Sequence, residues 1–556
     1  MLVKPRHSAA MRAVSHSLRG RGFTELNPKR PEWLLAEGLL QARDREWRAI
    51  IEIQDWDFIK HPTIIVPDIE PGTWAHIDPG NSVCYLAQGQ GILNRHTPAE
   101  TVELCLQLVE SILSKLDDTV YQMREITSEF EAHWRPSEFG YLYQDVPHHL
   151  NRLIAKYDSS TSAWHLATTE AGFERQWNRS YPCIIVPLLR EPTVHRQGPP
   201  STLGELLEWL HAISPRSLPT LTSRFTNPAV AKDRRCLFLF HHDAQWCGAA
   251  VEDLPLHMLY QRNFGRLSTL LLNSKFLKHP IRRVYIQNES PSFIHHRSLV
   301  SDLDLSGLRI HLVGAGAVGG YLANAIAKLG AGTGVNGKLV ICDIDHLKRE
   351  NIGRHILGDK DTGKYKAYAM TEYLQKQLPS GKFEEIITSA VDWADIFDAD
   401  LVIDGTGEEP LSSILAEKMW ERLSNGEVTP PLLHGWVKGN GEAVQALWSE
   451  RYGACFDCLK IWGDGTITER WPVLKTAPEG RIIGCSYVTP YAVSAPMMAA
   501  ALMAQMAIDW RNGHLTDGEL RTVVLSTNRE NIHPDCQERI ITTPTTNCQT
   551  CTNFRI

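Results

Sequence analysis

Apolar and polar residues change places with three different rhythms along the chain. In the first zone, to about residue 135, Ile50–Trp56 and Thr63–Ile69 read as strands. Thr97–Leu116 repeats apolar residues at helical spacing, with Pro98 in its first turn. From 136 to 295 the pattern weakens. Cys183–Leu189, Cys236–His242 and Arg283–Gln287 look like strands, and Arg196–Thr202 is a turn-rich connector. From 296 onward strands and helices alternate: Leu308–Gly314, a helix, Lys338–Asp343, a helix, Ala399–Gly405. That order predicts a parallel sheet with crossover helices. The division expected is therefore 1–135, 136–295 and 296–556, all α/β in class. Residues 1–22 are basic and lack acids, as transit peptides do, but have no clear amphipathic period. They read as a frayed or cleavable-looking terminus without function. The longest apolar run, Pro490–Trp510, is broken by Pro, Ser and Gln and reads as a buried helix, not a membrane span.

Composition narrows the function classes. A net charge of −7 leaves no electrostatic footprint for nucleic acid and no polybasic membrane patch. Twelve cysteines are scattered and no secretory signal is visible. A cytoplasmic protein with metal or thiol chemistry is expected, not a disulfide scaffold. Cys455/Cys458 and Cys548/Cys551 are two CxxC pairs. Together they supply four thiolates, enough for a closed tetrahedral zinc site that ties the C-terminal tail to its domain; a redox pair is the alternative.

Leu308–Gly330 reads as strand, glycine-rich turn, helix. Gly314, Gly316 and Gly319 permit the tight turn and a close approach of backbone to phosphate at a helix N-terminus. Asp343, ending the next strand, can accept hydrogen bonds from a ribose diol. This much fits any nucleotide binder.

The stretch Asp343–Lys366 is more specific. It resembles the ThiF/MoeB/ubiquitin-activating superfamily, whose ribose strand runs into D-x-D, then N-x-x-R, then G-x-x-K. Asp343 and Asp345 fall on the first, Asn351 and Arg354 on the second, Lys366 on the third. The resemblance implies ATP with magnesium, its phosphates held by Arg354 and Lys366 and its ribose by Asp343. The family places a metal-binding aspartate after the following strand. Asp404 is present here, but Gly407 takes the last acidic position, with Glu408 or Glu409 as substitutes. The superfamily also carries its structural zinc where the two CxxC pairs stand. Cys485 lies just before the apolar helix, where relatives have a cysteine on a loop over the nucleotide, and is the candidate thioester nucleophile.

Near the N-terminus, His76–Leu86 with the Pro98 helix resembles the ubiquitin-conjugating fold in its divergent bacterial branch. Cys84 falls on the acceptor cysteine and His76 on the upstream histidine; Asn81 and Asp78 are candidate oxyanion stabilisers. Cys105 reads as core, as do the tryptophans of the middle zone. The doublets His241–His242 and His295–His296 lack further ligands and read as structural. Arg297 falls near an arginine that relatives supply to ATP across a dimer interface, which implies a homodimer. The fusion resembles the bacterial conjugation enzyme of CBASS anti-phage operons. That implies activation of the C-terminal tail of a cGAS-like nucleotidyltransferase or ubiquitin-like protein, with an amine as final acceptor. The alternatives are a sulfur-carrier adenylyltransferase of the ThiF/MoeB kind and an inactive scaffold.

Overall fold

The computed structural model describes residues 5–70, 72–87, 89–147, 149–173, 175, 177, 179–218, 235–243, 245–252, 277–299, 303–463, 466–483, 486–526, 529–542 and 548–554. The chain divides into two compact units, Met1–Asn288 and Glu289–Ile556. Among the described residues no helix is long and apolar enough to cross a membrane.

The first unit opens with an antiparallel meander, β1 (Thr24–Leu26), β2 (Leu34–Ala42), β3 (Arg45–Ile53) and β4 (Thr63–Ile65). In β3, buried Trp47, Ala49, Ile51 and Ile53 alternate with Glu46, Arg48 and Glu52, the period-two pattern of a sheet covered on one face. The cover is the helix Pro98–Leu113, which turns Val102, Cys105, Leu106 and Val109 inward. A second cover corrects the sequence reading of the N-terminus. Pro5–Gly20 is a helix whose Ala10, Val14 and Leu18, spaced by four, join the same core. The stripe is narrow and built partly of small residues, so basic neighbours hide its period.

The middle of the unit is a closed barrel and not a layered α/β domain. Its strands are β5 (Glu138–Leu142), β6 (Arg152–Asp158), β7 (Ala163–Ala167), β8 (Tyr181–Pro187), β9 (Arg235–His242), β10 (Gln245–Glu252) and β11 (Arg282–Asn288), ordered β10-β11-β5-β7-β6-β8-β9. Leu142, Trp164, Leu166, Leu237, Leu239 and Ile286 fill one cluster, and closure removes exposed edges. On the other face of β8 and β9, the helix Leu203–Ile213 packs Leu206, Trp209 and Leu210 on Ile184, Phe238 and Phe240.

The second unit is built on an eight-stranded sheet: β12 (Arg309–Val313), β13 (Lys338–Cys342), β14 (Phe383–Ile386), β15 (Leu401–Asp404), β16 (Leu432–Lys438), β17 (Ala443–Ser449), then β22 (Glu519–Val524) and β23 (Arg539–Ile540). Two small hairpins, β18 (Lys460–Gly463) with β19 (Thr466–Glu469) and β20 (Arg481–Ile483) with β21 (Ser486–Val488), lie between β17 and β22 in sequence. The order is β14-β13-β12-β15-β16-β17-β22-β23. The first five strands are parallel, as the alternating pattern requires, and the rest antiparallel. Helices Ala317–Lys328 and Ser494–Arg511 pack in one core cluster, and Glu409–Ser424 in another. The chain runs outward through β12, β13 and β14 and returns to β15 on the other side of β12. That reversal leaves a crevice beyond the carboxyl ends of β12 and β15, where open α/β sheets bind ligands.

Candidate functional site

The crevice is a cleft of about 420 Å³. Gly314 enters it at φ +89°, and a Cβ on Gly319 would stand 1.8 Å from the Gly314 carbonyl oxygen, so the turn admits only glycine at this approach. Gly316 is the N-cap of the helix Ala317–Lys328, which leaves amide donors of the first turn at the cleft. Asp343 stabilises the same turn: one carboxylate oxygen accepts the Ala315 amide at 2.7 Å and the other the Asp345 amide at 2.8 Å. His355, absent from the sequence reading, braces it from below, with Nε2 2.7 Å from the Ala315 carbonyl and Nδ1 accepting the Leu357 amide at 3.0 Å. Burial pushes its imidazole below the ordinary value and keeps it neutral.

Two cations line the cleft. Lys366 begins the helix Lys366–Gln377, and its ammonium lies 2.8 Å from Asp345. Arg354 ends a short 3-10 turn and stands 4.9 Å from the centre of the Tyr491 ring. Asn351 holds that turn by accepting the Lys348 amide at 3.0 Å. Sequence-distant residues are thus brought around one space: Gly314, Gly316, Asp343, Asp345, Asn351, Arg354 and Lys366 all line it. Tyr491 was missed because nothing local marks it; it arrives from the far end of the unit.

Asp404 is 1% exposed and does not line the cleft. It accepts from His434 at 2.9 Å, from the Ser412 hydroxyl, and from the Thr406 amide and hydroxyl. Burial would raise its carboxyl, but these donors hold it below the ordinary range. With both oxygens engaged, Asp404 holds the loop that follows β15. Four residues on, Glu408 is exposed and lines the cleft, whereas Glu409 is paired with Lys460 at 2.7 Å. Gly407, between Asp404 and Glu408, sits at φ +68°, a backbone region that residues with a side chain adopt rarely. Arg297 is exposed just past the helix Pro291–His296 and does not line the cleft of its own chain. Cys485 lies outside the described residues.

The four CxxC cysteines converge. Cys455, Cys458, Cys548 and Cys551 are buried, with sulfurs within 4.8 Å of one another and neighbouring pairs 3.4–3.7 Å apart. The donor set fits zinc, since a tetrahedron with Zn–S of about 2.3 Å has edges of about 3.8 Å. Thr550 donates to Asp457 at 2.6 Å and joins the two knuckles independently.

In the first unit Cys84 is exposed. Its backbone is pinned on one side by its amide donating to the His76 carbonyl at 2.8 Å, and Val83 beside it donates to Ile64. Asp78 accepts the Gly80 and Ser82 amides, and Asn81 stands at φ +59° with its side chain on the Pro67 and Ile69 carbonyls. Both hold the turn. The His76 ring faces Glu129 at 3.2 Å and Glu125 at 3.5 Å. Burial pushes the Cys84 thiol up, and Glu129 and Asp78 add to it, so the resting sulfur is protonated at neutral pH. Cys105 is buried, His295 bonds the Lys328 carbonyl, and Trp134, Trp164 and Trp209 are core.

Residues 295–550 match the ThiF family. The chain is 27% identical over 558 aligned residues to an ATP-dependent ubiquitin transferase-like protein, Cap2, of Pseudomonas aeruginosa, covering 95% of this chain and 97% of that protein. It is 26% identical to the Cap2 of Vibrio cholerae, covering 80% and 83%. A solved structure of the microcin C7 biosynthetic enzyme MccB with N-formylated MccA aligns to 47% of this chain and 72% of that one, at 14% identity and a TM-score of 0.34.

Proposed function

We propose that this chain, an adenylating enzyme with a ThiF domain in its second unit and a ubiquitin-transferase-like relative along nearly its whole length, activates the C-terminal carboxylate of a partner protein and conjugates it to an amine. A carboxylate oxygen of the partner's tail bonds to the α-phosphorus of ATP, and pyrophosphate leaves. The Cys485 thiolate attacks the acyl carbon and AMP leaves. The Cys84 thiol then gives its proton to solvent, its sulfur takes the acyl group, and the Cys485 sulfur departs as thiolate. An amine displaces the Cys84 sulfur, forms an amide and gives its proton to solvent. The resemblance to Cap2 supports bacterial anti-phage defence as the setting, and a cGAS-like nucleotidyltransferase or ubiquitin-like protein as the partner.

The observation that carries this reading is the convergence of Arg354 and Lys366 on the glycine turn at the switch point of the sheet. Two cations there offset the charge of a triphosphate and stabilise the crowded α-phosphorus. Lys366 exchanges Asp345 for phosphate when the nucleotide enters. A magnesium ion, when bound, screens phosphate charge, and Glu408 is the carboxylate placed for it. Zinc is assigned to the four cysteines as a structural ion. Domain limits of 1–135, 136–295 and 296–556 and a homodimer that brings Arg297 to a neighbouring cleft belong to the same proposal.

Exchange of labelled pyrophosphate into ATP in the presence of the partner's tail tests it. Arg354→Ala or Lys366→Ala should slow exchange by about 10²-fold or more, the scale of losing one preorganised charge stabiliser. Undiminished exchange in both variants would falsify the phosphate assignment.

A further inference from the structure

The outer wall of the barrel carries a cluster that adenylation and acyl transfer do not use. His165 lies on β7 between inward-facing Trp164 and Leu166, so it points out of the barrel. Tyr143, just past β5, stacks beside it with centroids 5.8 Å apart, and its hydroxyl is 2.6 Å from His165 Nδ1. Trp177 meets His165 at 4.7 Å, and Phe173 meets Tyr143 edge-on at 6.5 Å. With Asp158 and Arg175 these rings line a cavity of about 190 Å³.

The two charged residues define what the cavity accepts. Asp158 ends β6, and its Oδ1 accepts the Ser160 amide at 2.9 Å and hydroxyl at 2.6 Å. Its Oδ2 faces the Arg175 guanidinium at 3.5 Å. That guanidinium also lies 5.0 Å from the centre of the Trp177 ring, yet 73% of the Arg175 side chain remains exposed. The cage therefore already holds a guanidinium, and holds it loosely. Burial keeps His165 below its ordinary value, so it offers a neutral ring face and no opposing charge. Aromatic faces attract cations, tryptophan most strongly, and a nearby carboxylate adds to the attraction. A planar guanidinium can stack on a ring and fork to a carboxylate at once, which an ammonium cannot. Once Arg175 has swung out, a phosphate or carboxylate ligand would meet the bare Asp158 carboxylate and be repelled.

We infer that this cavity is a binding site for an arginine side chain of a protein partner, with Arg175 as the resident competitor that swings out when the partner's arginine enters. The site is independent of the adenylation reading. Along β5 the wall continues through Tyr141, its ring tilted against His165 with centroids 5.6 Å apart, to Phe139, half exposed. Both offer apolar area to residues flanking the arginine.

The experiment uses the full chain, N-acetyl-arginine amide as probe and N-acetyl-citrulline amide as its neutral counterpart, with binding read by saturation-transfer NMR titration. The arginine probe should bind about tenfold tighter than citrulline. Arg175→Ala should tighten it by about threefold or more, because the competitor is gone, and Asp158→Asn should weaken it by about fivefold or more. Should Asp158→Asn fail to fold by circular dichroism, Trp177→Leu replaces it, with the same expected loss. Absence of binding to the Arg175→Ala chain overturns the proposal. So does equal binding of citrulline, or binding that survives the loss of Asp158 or Trp177 unchanged.

Discussion

Asp404 and Glu408 stand four residues apart and meet opposite surroundings. The first is sealed beneath the loop among His434, Ser412 and Thr406; the second is exposed at the cleft. Asp404→Ala should therefore act on stability, costing about 3–5 kcal/mol in denaturant unfolding, the scale of stripping one partner from a buried charged network. Glu408→Gln should leave unfolding unchanged and raise the magnesium concentration needed for half-maximal pyrophosphate exchange. The reverse pattern would return the metal to Asp404. From sequence the two were indistinguishable, since an aspartate ending a strand reads alike whether it faces ligand or core. His76 poses a titration question. Its hydrogen bond to Glu129 holds the imidazole above the ordinary value, against burial, with the charges of Glu129 and Glu125 adding. Glu129, held first by His133 and then by His76, is down at about 2. A raised folded value for His76 means its contribution is complete below 6.5, the ordinary histidine value, and fades as pH climbs through the folded one. A depressed value for Glu129 means its contribution is complete above 4.5 and is lost on the way down to about 2. The pair thus stabilises most between these two ordinary values. His76→Gln should lower the melting temperature more at about pH 5.5 than at about pH 8.5. An equal loss at both would mean that His76 acts through packing alone.

At the scale of elements, legibility followed how local the determinants are. The β12 turn, its helix and the Asp343–Lys366 array were readable because glycine positions and charge spacing are set within one supersecondary unit. The barrel was not. Its strands could be recognised singly, but closure depends on pairings such as β5 with β11, more than a hundred residues apart, which no local pattern encodes. The N-terminal helix was lost because Ala10, Val14 and Leu18 sit among basic residues and two of the three are small or β-branched. The cysteine knuckles lie between these cases: the doubled spacing announced four ligands, and the fold brings them together. Metal analysis of the purified chain should find one zinc, and Cys455→Ser with Cys548→Ser should remove it and expose the helix Gln549–Phe554 to protease. Zinc kept by the double variant, or none in the parent, would sink the assignment.

At the scale of the molecule, the two candidate nucleophiles belong to different units, Cys84 to Met1–Asn288 and Cys485 to Glu289–Ile556. The proposed relay crosses that division, within a chain or between chains. Gels run with and without thiol reductant separate its stages, because thioesters are cleaved by thiols and amides are not. Cys485→Ala should give no thioester at all. Cys84→Ala should keep a reductant-sensitive adduct and lose transfer to the acceptor, and full conjugation by Cys84→Ala would favour the sulfur-carrier reading. Mixing the two variants restores conjugation only if the acyl group passes between chains. The cysteine cluster has a further consequence, for how the molecule is made. Its halves are separated by 93 positions in the chain. At synthesis rates of about 5–20 residues per second that is a delay of roughly 5–20 s between emergence of the first pair and the second. During that interval Cys455 and Cys458 wait beside a half-lined cavity. A chain cut short before Cys548 lacks two of the four sulfurs. The cluster therefore closes only once Cys548 and Cys551 have joined Cys455 and Cys458.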